Sequence, residues 1–108
     1  MASFSDFQKI ELKVGKVLKI EDIEGKDKLY KLEVDTGDEK PRTLVAGLKE
    51  FYSKEQLTGK QIIVVTNLDP KPLAGIVSEG MLLATKNKQN GYSVVTVEDE
   101  VQPGAQIE

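Results

Sequence analysis

The sequence predicts an all-β fold, a small β-barrel with one short helix, and three observations carry that prediction. Apolar and polar residues alternate over Ile10–Ile20 and again over Leu29–Thr36, the period of strands covered on one face. Lys60–Leu68 is a nearly unbroken apolar run, as expected of a central strand covered on both faces. Only one window of any length, Lys49–Leu57, has helical spacing, and it falls between strands.

In chain order, Phe4, Phe7 and Ile10 share one side of a short amino-terminal turn that Asp6 can cap. On the first strand, Ile10, Leu12, Val14, Leu18 and Ile20 fall on one face with a single violation at Lys16, directly after Gly15. A glycine in mid-strand marks a bend or bulge, which lets one strand serve two parts of a closed barrel. Glu24–Lys28 is a turn by composition, and the second strand carries Tyr30, Leu32 and Val34 on its inner face. Gly37–Pro41 turns the chain into a third strand, Arg42–Ala46, which Gly47 ends. In the helical window Ser53 and Gln56 have the spacing of a reciprocal cap, and Gly59 stops the helix. Met81–Thr85 and Tyr92–Val97 are the late strands, joined by a polar turn whose Asn90-Gly91 pair tolerates positive backbone dihedrals.

Three meander strands, a helix, then further strands is the order of a five-stranded oligonucleotide-binding barrel, the OB-fold. Such a barrel binds through strands two and three and the loops after strands one and four. The loop after strand four is Asn67–Met81, stiffened by Pro70, Pro72, Gly75 and Gly80, and it organises the functional reading. A stiff loop between rigid strands loses little entropy on capturing a ligand.

The 108 residues suit one domain, with residues 87–108 a carboxy-terminal extension of the barrel. Cysteine and histidine are absent, which removes disulfides, thiolate metal sites and the usual general base. Carboxylates are dispersed, and no phosphate-cradling glycine loop occurs, so neither an enzyme nor a bound metal or cofactor is expected. No apolar run approaches the roughly 18 residues of a membrane span, so a cytoplasmic protein with no membrane partner is expected. The net charge is −3, unfavourable for a polyanion partner if read alone. Lys28, Arg42, Lys71 and Lys86 nevertheless fall on or beside predicted strands, Lys28 and Arg42 on the expected binding side, and are either phosphate contacts or solvated surface cations. Asn67 and Ser78 either present an amide and a hydroxyl to ribose or base, or bond neighbouring backbone and hold the loop in shape. Met81 is a candidate base contact or a core residue. No aromatic residue is expected on the binding side, which favours recognition of a folded outline over stacked single strands.

Many short motifs in order resemble one family. They are Asp6-Phe7, Lys13-Val-Gly-Lys-Val17, Asp27-Lys-Leu-Tyr30, Val34-Asp35, Arg42-Thr-Leu-Val-Ala-Gly47, Asn67-Leu68 with Pro70, and Gly75, Ser78, Gly80 and Met81. Together they are similar to the tRNA-binding domains found beside methionyl-tRNA synthetases and in related small dimeric proteins. The resemblance implies non-catalytic tRNA binding through shape and backbone. It also implies a homodimer, with the amino-terminal turn and the carboxy-terminal extension at its interface, and an aminoacyl-tRNA synthetase as a further partner. Two alternatives stay open: the same family includes dimeric export chaperones that hold unfolded peptides, and a subunit that only docks on a synthetase would look alike. Pro72 and Ala74 stand where many members carry basic or larger residues, so Lys71 is the loop's one cation.

Overall fold

The computed structural model describes residues 1–108. The elements are α1 (Phe4–Gln8), β1 (Leu12–Ile23), β2 (Lys26–Asp35), β3 (Arg42–Ala46), α2 (Lys54–Leu57), β4 (Gln61–Val65), β5 (Lys71–Leu73), β6 (Ile76–Ser78), β7 (Met81–Leu82), β8 (Ala84–Lys86) and β9 (Tyr92–Val94). Five of them make one antiparallel sheet in the order β3-β2-β1-β4-β7, a nearly closed barrel of the predicted OB kind. Closure between its two edges is made partly by side chains. Glu79 donates its amide to the Thr43 carbonyl at 2.8 Å, while the Thr43 amide donates to the Glu79 carboxylate at 2.9 Å. One step further along, the Val45 amide donates to the Ser78 hydroxyl at 3.1 Å.

The long β1 serves both halves of the barrel, pairing with β4 through residues 12–16 and with β2 through residues 16–23. Its inner face differs from the one the alternation predicts. Val17 and Ile20 point into the core with Ile62 and Val64 of β4, and Leu18 is the extra residue of a bulge, left 44% exposed. Gly15 is therefore not the bulge but a close approach. A Cβ there would lie 2.5 Å from Val34 Cγ1, inside any van der Waals contact. By strand alternation Gly15 shares the inner face with Val17, so Val14 is buried on the opposite one. Ile63 and Val65 are likewise buried outside the core cluster, which explains the continuous apolar run of β4. Over that outer face the chain is pinned by Gln61, whose side-chain amide donates to the Val101 carbonyl and accepts the Val101 amide.

The two helices are shorter than, or capped differently from, the sequence reading. Ser3, not Asp6, is the amino-terminal cap of α1, and Asp6 returns the bond three residues on. The helix predicted over Lys49–Leu57 forms only as Lys54–Leu57, with the Ser53 and Gln56 box in place. Its first half stays in turns. The Tyr52 carbonyl accepts the Tyr30 hydroxyl at 2.7 Å instead of continuing a helical ladder. The tail, too short to fold alone, completes β1: Gly104, Ala105 and Ile107 bond the backbone of Val14 and Leu12.

Candidate nucleic-acid interface

The loop after β4 carries its own hairpin, β5 paired with β6 and Pro72 opposite Val77. Its two-residue turn is Ala74-Gly75, at φ +53° and +78°. Positive φ at both positions is the primed turn that matches strand twist. Gly75 adopts it freely, whereas Ala74 is in a region that L side chains occupy at a cost.

Three predicted contact residues are engaged inside the chain. The Asn67 side chain accepts the Glu11 amide at 2.8 Å and donates to the Lys9 carbonyl at 2.7 Å, tying the start of the loop to the segment between α1 and β1. Ser78 is 4% exposed; its hydroxyl accepts from Val45 and donates to the Gly80 carbonyl at 3.1 Å. Of the two roles open to Ser78, the geometry shows the backbone-bonding one, with the hydroxyl proton and one of its two lone pairs used in the barrel seam. Arg42 donates to the carbonyls of Thr66 and Glu79 and to the Asp38 carboxylate at 2.9 Å. It cross-braces β3, the end of β4 and the loop, and its side chain is only 23% exposed. The Asp38 carboxyl is held below its ordinary range by Arg42 first and Thr36 second, so this cation is already neutralised locally. In the same way Asp22 is lowered by Lys54, then Lys49. Arg42, Lys49 and Lys54 are therefore not open charges.

Of the remaining predicted residues, Met81 and Lys71 line one groove, and Lys28 and Lys86 lie on strands beside it. Val45 and Met81 form its waist, and Met81 is 51% exposed. On one side of the waist lies a hollow of about 330 Å³, walled by Gly47, Leu48, Leu82, Ala84 and Tyr92. On the other lies one of about 220 Å³, reached by Leu68, Lys71, Leu73 and Gly80, with Asp69 its one carboxylate. Lys71 lines the second hollow directly. Lys86 is the cross-strand partner of Tyr92 and shares a strand face with Ala84. The Lys28 carbonyl accepts the Lys49 amide and lies against Gly47, at the groove's end. None of Lys28, Lys71 and Lys86 is in an ion pair.

Two further groups belong to this surface and escaped the sequence reading. Lys31, on the outer face of β2, stands directly opposite Val45 and is also outside every ion pair. Alternation alone could have placed it. Tyr92 lines the larger hollow and is 38% exposed, which corrects the expectation of no aromatic there. Its position depends on β8 leaving the barrel to pair with β9, which local pattern does not encode. The acidic stretch Glu98–Glu100 lies elsewhere, in a hollow with Lys16, Gly59 and Gln61. No group of three or more acidic side chains is placed to hold a metal, and no helix is long and apolar enough to cross a membrane.

The model of the tRNA binding domain family, tRNA_bind, matches residues 12–106. This chain belongs to the tRNA-binding-domain family. A methionine–tRNA ligase of Methanocaldococcus jannaschii is 45% identical over 103 residues, which cover 95% of this chain and 16% of that enzyme. The chain thus spans about a sixth of the length of that curated relative. Among solved structures, a MetRS-related protein from Pyrococcus horikoshii superposes with a TM-score of 0.90 at 37% identity, covering 100% of this chain and 98% of that one. The chaperone CsaA from Bacillus anthracis superposes with a TM-score of 0.88 at 30% identity, covering 100% and 99%. Members of the tRNA-binding-domain family therefore occur both as a part of a synthetase and as chains of about this length.

Proposed function

We propose that this chain is a non-catalytic, cytoplasmic tRNA-binding module that reads the folded outline of tRNA through its phosphates. The observation that carries this reading is a groove whose lining holds Lys71 and one carboxylate, Asp69, with Lys28, Lys31 and Lys86, which form no ion pair, on the strands beside it. Each cation that neutralises a phosphate releases condensed counterions, so affinity comes from the sugar–phosphate backbone and falls with salt. Asn67, Ser78 and Arg42 act by holding the groove's walls in register; Met81 contacts the RNA at the groove's waist.

Four cations make a small footprint, and a homodimer doubles it without new chemistry. Phe4, Phe7 and Ile10, at 73%, 42% and 44% exposure, line a cleft of mixed polarity with Gln8, Gln106, Ile107 and Glu108 at the junction of α1 and the tail; its exposed apolar side chains support that junction as the interface. The same module delivering tRNA to an aminoacyl-tRNA synthetase is consistent with the relatives in which it is a domain of that enzyme.

A second reading, an unfolded-peptide chaperone, is favoured by the groove's apolar lining and the full-length likeness to CsaA. Competition decides between the two. A fixed concentration of labelled tRNA is titrated with an unfolded, reduced polypeptide and with unlabelled tRNA, at low and physiological salt. Displacement by tRNA alone, with binding steeply weakened by salt, supports the tRNA reading; efficient displacement by the polypeptide at both salts supports the chaperone. A chain that binds neither, yet co-purifies with a synthetase, is a docking subunit.

A further inference from the structure

Phosphate contacts leave one feature of the groove without a role. Tyr30 and Tyr52 are tied into the core by their hydroxyls, to the Tyr52 carbonyl and from the Val94 amide, whereas Tyr92 stands on the groove wall at 38% exposure. Phe51 meets the Tyr92 ring edge-on, with centroids 5.4 Å apart and planes at 68°, a favourable aromatic geometry that fixes the ring's orientation. The turn before it is built to allow this. Gly91 is buried, and a Cβ there would come 3.2 Å from both the Phe51 ring and the Asn87 side chain. Asn87 in turn accepts the amides of Gln89 and Gly91 at 3.0 Å. Met81, with its polarizable thioether, lines the same hollow, and Lys86 is the cross-strand partner of Tyr92.

A preoriented aromatic ring, an apolar lining and nearby cations fit a planar group bonded to anions. Bases inside a duplex have both faces covered by their neighbours, so only an unstacked base can present a face. We infer that this groove takes one unstacked nucleobase of the bound RNA, stacked on Tyr92, with its adjoining phosphates at Lys86 and Lys28. The inference rests on the tRNA reading and deepens it: the module recognises where a folded RNA turns a base outward, in addition to the path of its backbone.

The test uses Tyr92→Leu, which keeps bulk against Phe51 but has no ring face, and Tyr92→Phe, which keeps the face. Probes are bulk tRNA, a fully paired RNA duplex, and the same duplex with one bulged nucleotide. Tyr92→Leu is expected to weaken tRNA and bulged-duplex binding roughly 5- to 150-fold, the range for removing one stacked base. Its salt slope and its affinity for the paired duplex stay those of the wild type, and Tyr92→Phe binds as the wild type does. Equal binding by Tyr92→Leu and wild type, or equal losses on the paired and bulged duplexes, overturns the stacking site while leaving the tRNA reading intact. Displacement of tRNA by an unfolded polypeptide whose own binding falls in Tyr92→Leu assigns the groove to peptide and overturns it as well. A wild-type chain that fails to bind tRNA at low salt overturns both readings.

Discussion

Replacing Ser78 with alanine separates a residue that holds the interface from one that touches the ligand. The hydroxyl makes two hydrogen bonds across the barrel seam, accepting the Val45 amide at 3.1 Å and donating to the Gly80 carbonyl at 3.1 Å. At 4% exposure the residue is nearly sealed from solvent. In Ser78→Ala the Val45 amide loses its partner, and a buried amide left unpaired costs about 1–3 kcal/mol. For a domain of this size each kcal/mol moves the melting midpoint by about 4–8 °C, so the variant melts roughly 4–24 °C below the wild type. Melting is followed by circular dichroism, and tRNA affinity is measured at a temperature where both proteins are folded. The folded variant is expected to keep the wild-type affinity to within a few-fold. A variant that melts like the wild type but has lost tRNA binding would refute the reasoning, because the hydroxyl would then be meeting RNA.

Other perturbations follow from single contacts. Gly15→Ala drives a methyl to within 2.5 Å of Val34 and lowers stability by about 1–3 kcal/mol, the usual scale of overpacking, read from the urea midpoint. Ala74→Asn keeps the positive φ of +53° that Ala74 adopts in a residue that tolerates it, and raises the melting midpoint through a gain of up to about 1 kcal/mol; a fall would mean the turn is not of the primed type. The carboxyls of Asp38, Asp22 and Asp6 are all lowered in the fold, by Arg42, Lys54 and the Ser3 amide respectively. A depressed carboxyl adds stability that is complete above its unfolded value, here 3.8, and is lost as pH falls through the folded one. Urea midpoints should thus hold from neutral pH to about 5 and drop below about 4, and Asp38→Asn should flatten that drop.

The barrel was legible because strand periodicity and turn residues are local: β3 was placed residue for residue, and of the Asn90-Gly91 pair Asn90, though not Gly91, adopts a positive φ, +61°. What could not be read was set by contacts distant in sequence. Nothing near Leu18 marks it as the bulged residue; β2 and β4 decide that by pairing with different halves of β1. The helical window shortened because Tyr30, 22 residues away, takes the Tyr52 carbonyl. At the site, residue type was a better guide than role. Asn67 and Ser78 were singled out by motif, yet their polar atoms close bonds to Lys9, Glu11, Val45 and Gly80. Tyr92 reaches the groove only once β7 and the β8–β9 hairpin converge on it, whereas alternation along β2 was enough to place Lys31.

The most direct measurement of the central proposal is tRNA affinity as a function of salt for two triple variants of equal charge change. Lys28→Ala, Lys71→Ala and Lys86→Ala together remove the cation in the groove lining and two beside it; Lys13→Ala, Lys16→Ala and Lys60→Ala remove cations that neither line it nor pair across a strand with a residue that does. The groove triple is expected to bind weakly and to flatten the log–log salt slope by about 2–3, close to one unit per lost phosphate contact. The control triple should retain nearly the wild-type slope. Identical slopes for the two triples would contradict the account, since the cations would then act only through net charge and the groove would not be where the RNA binds.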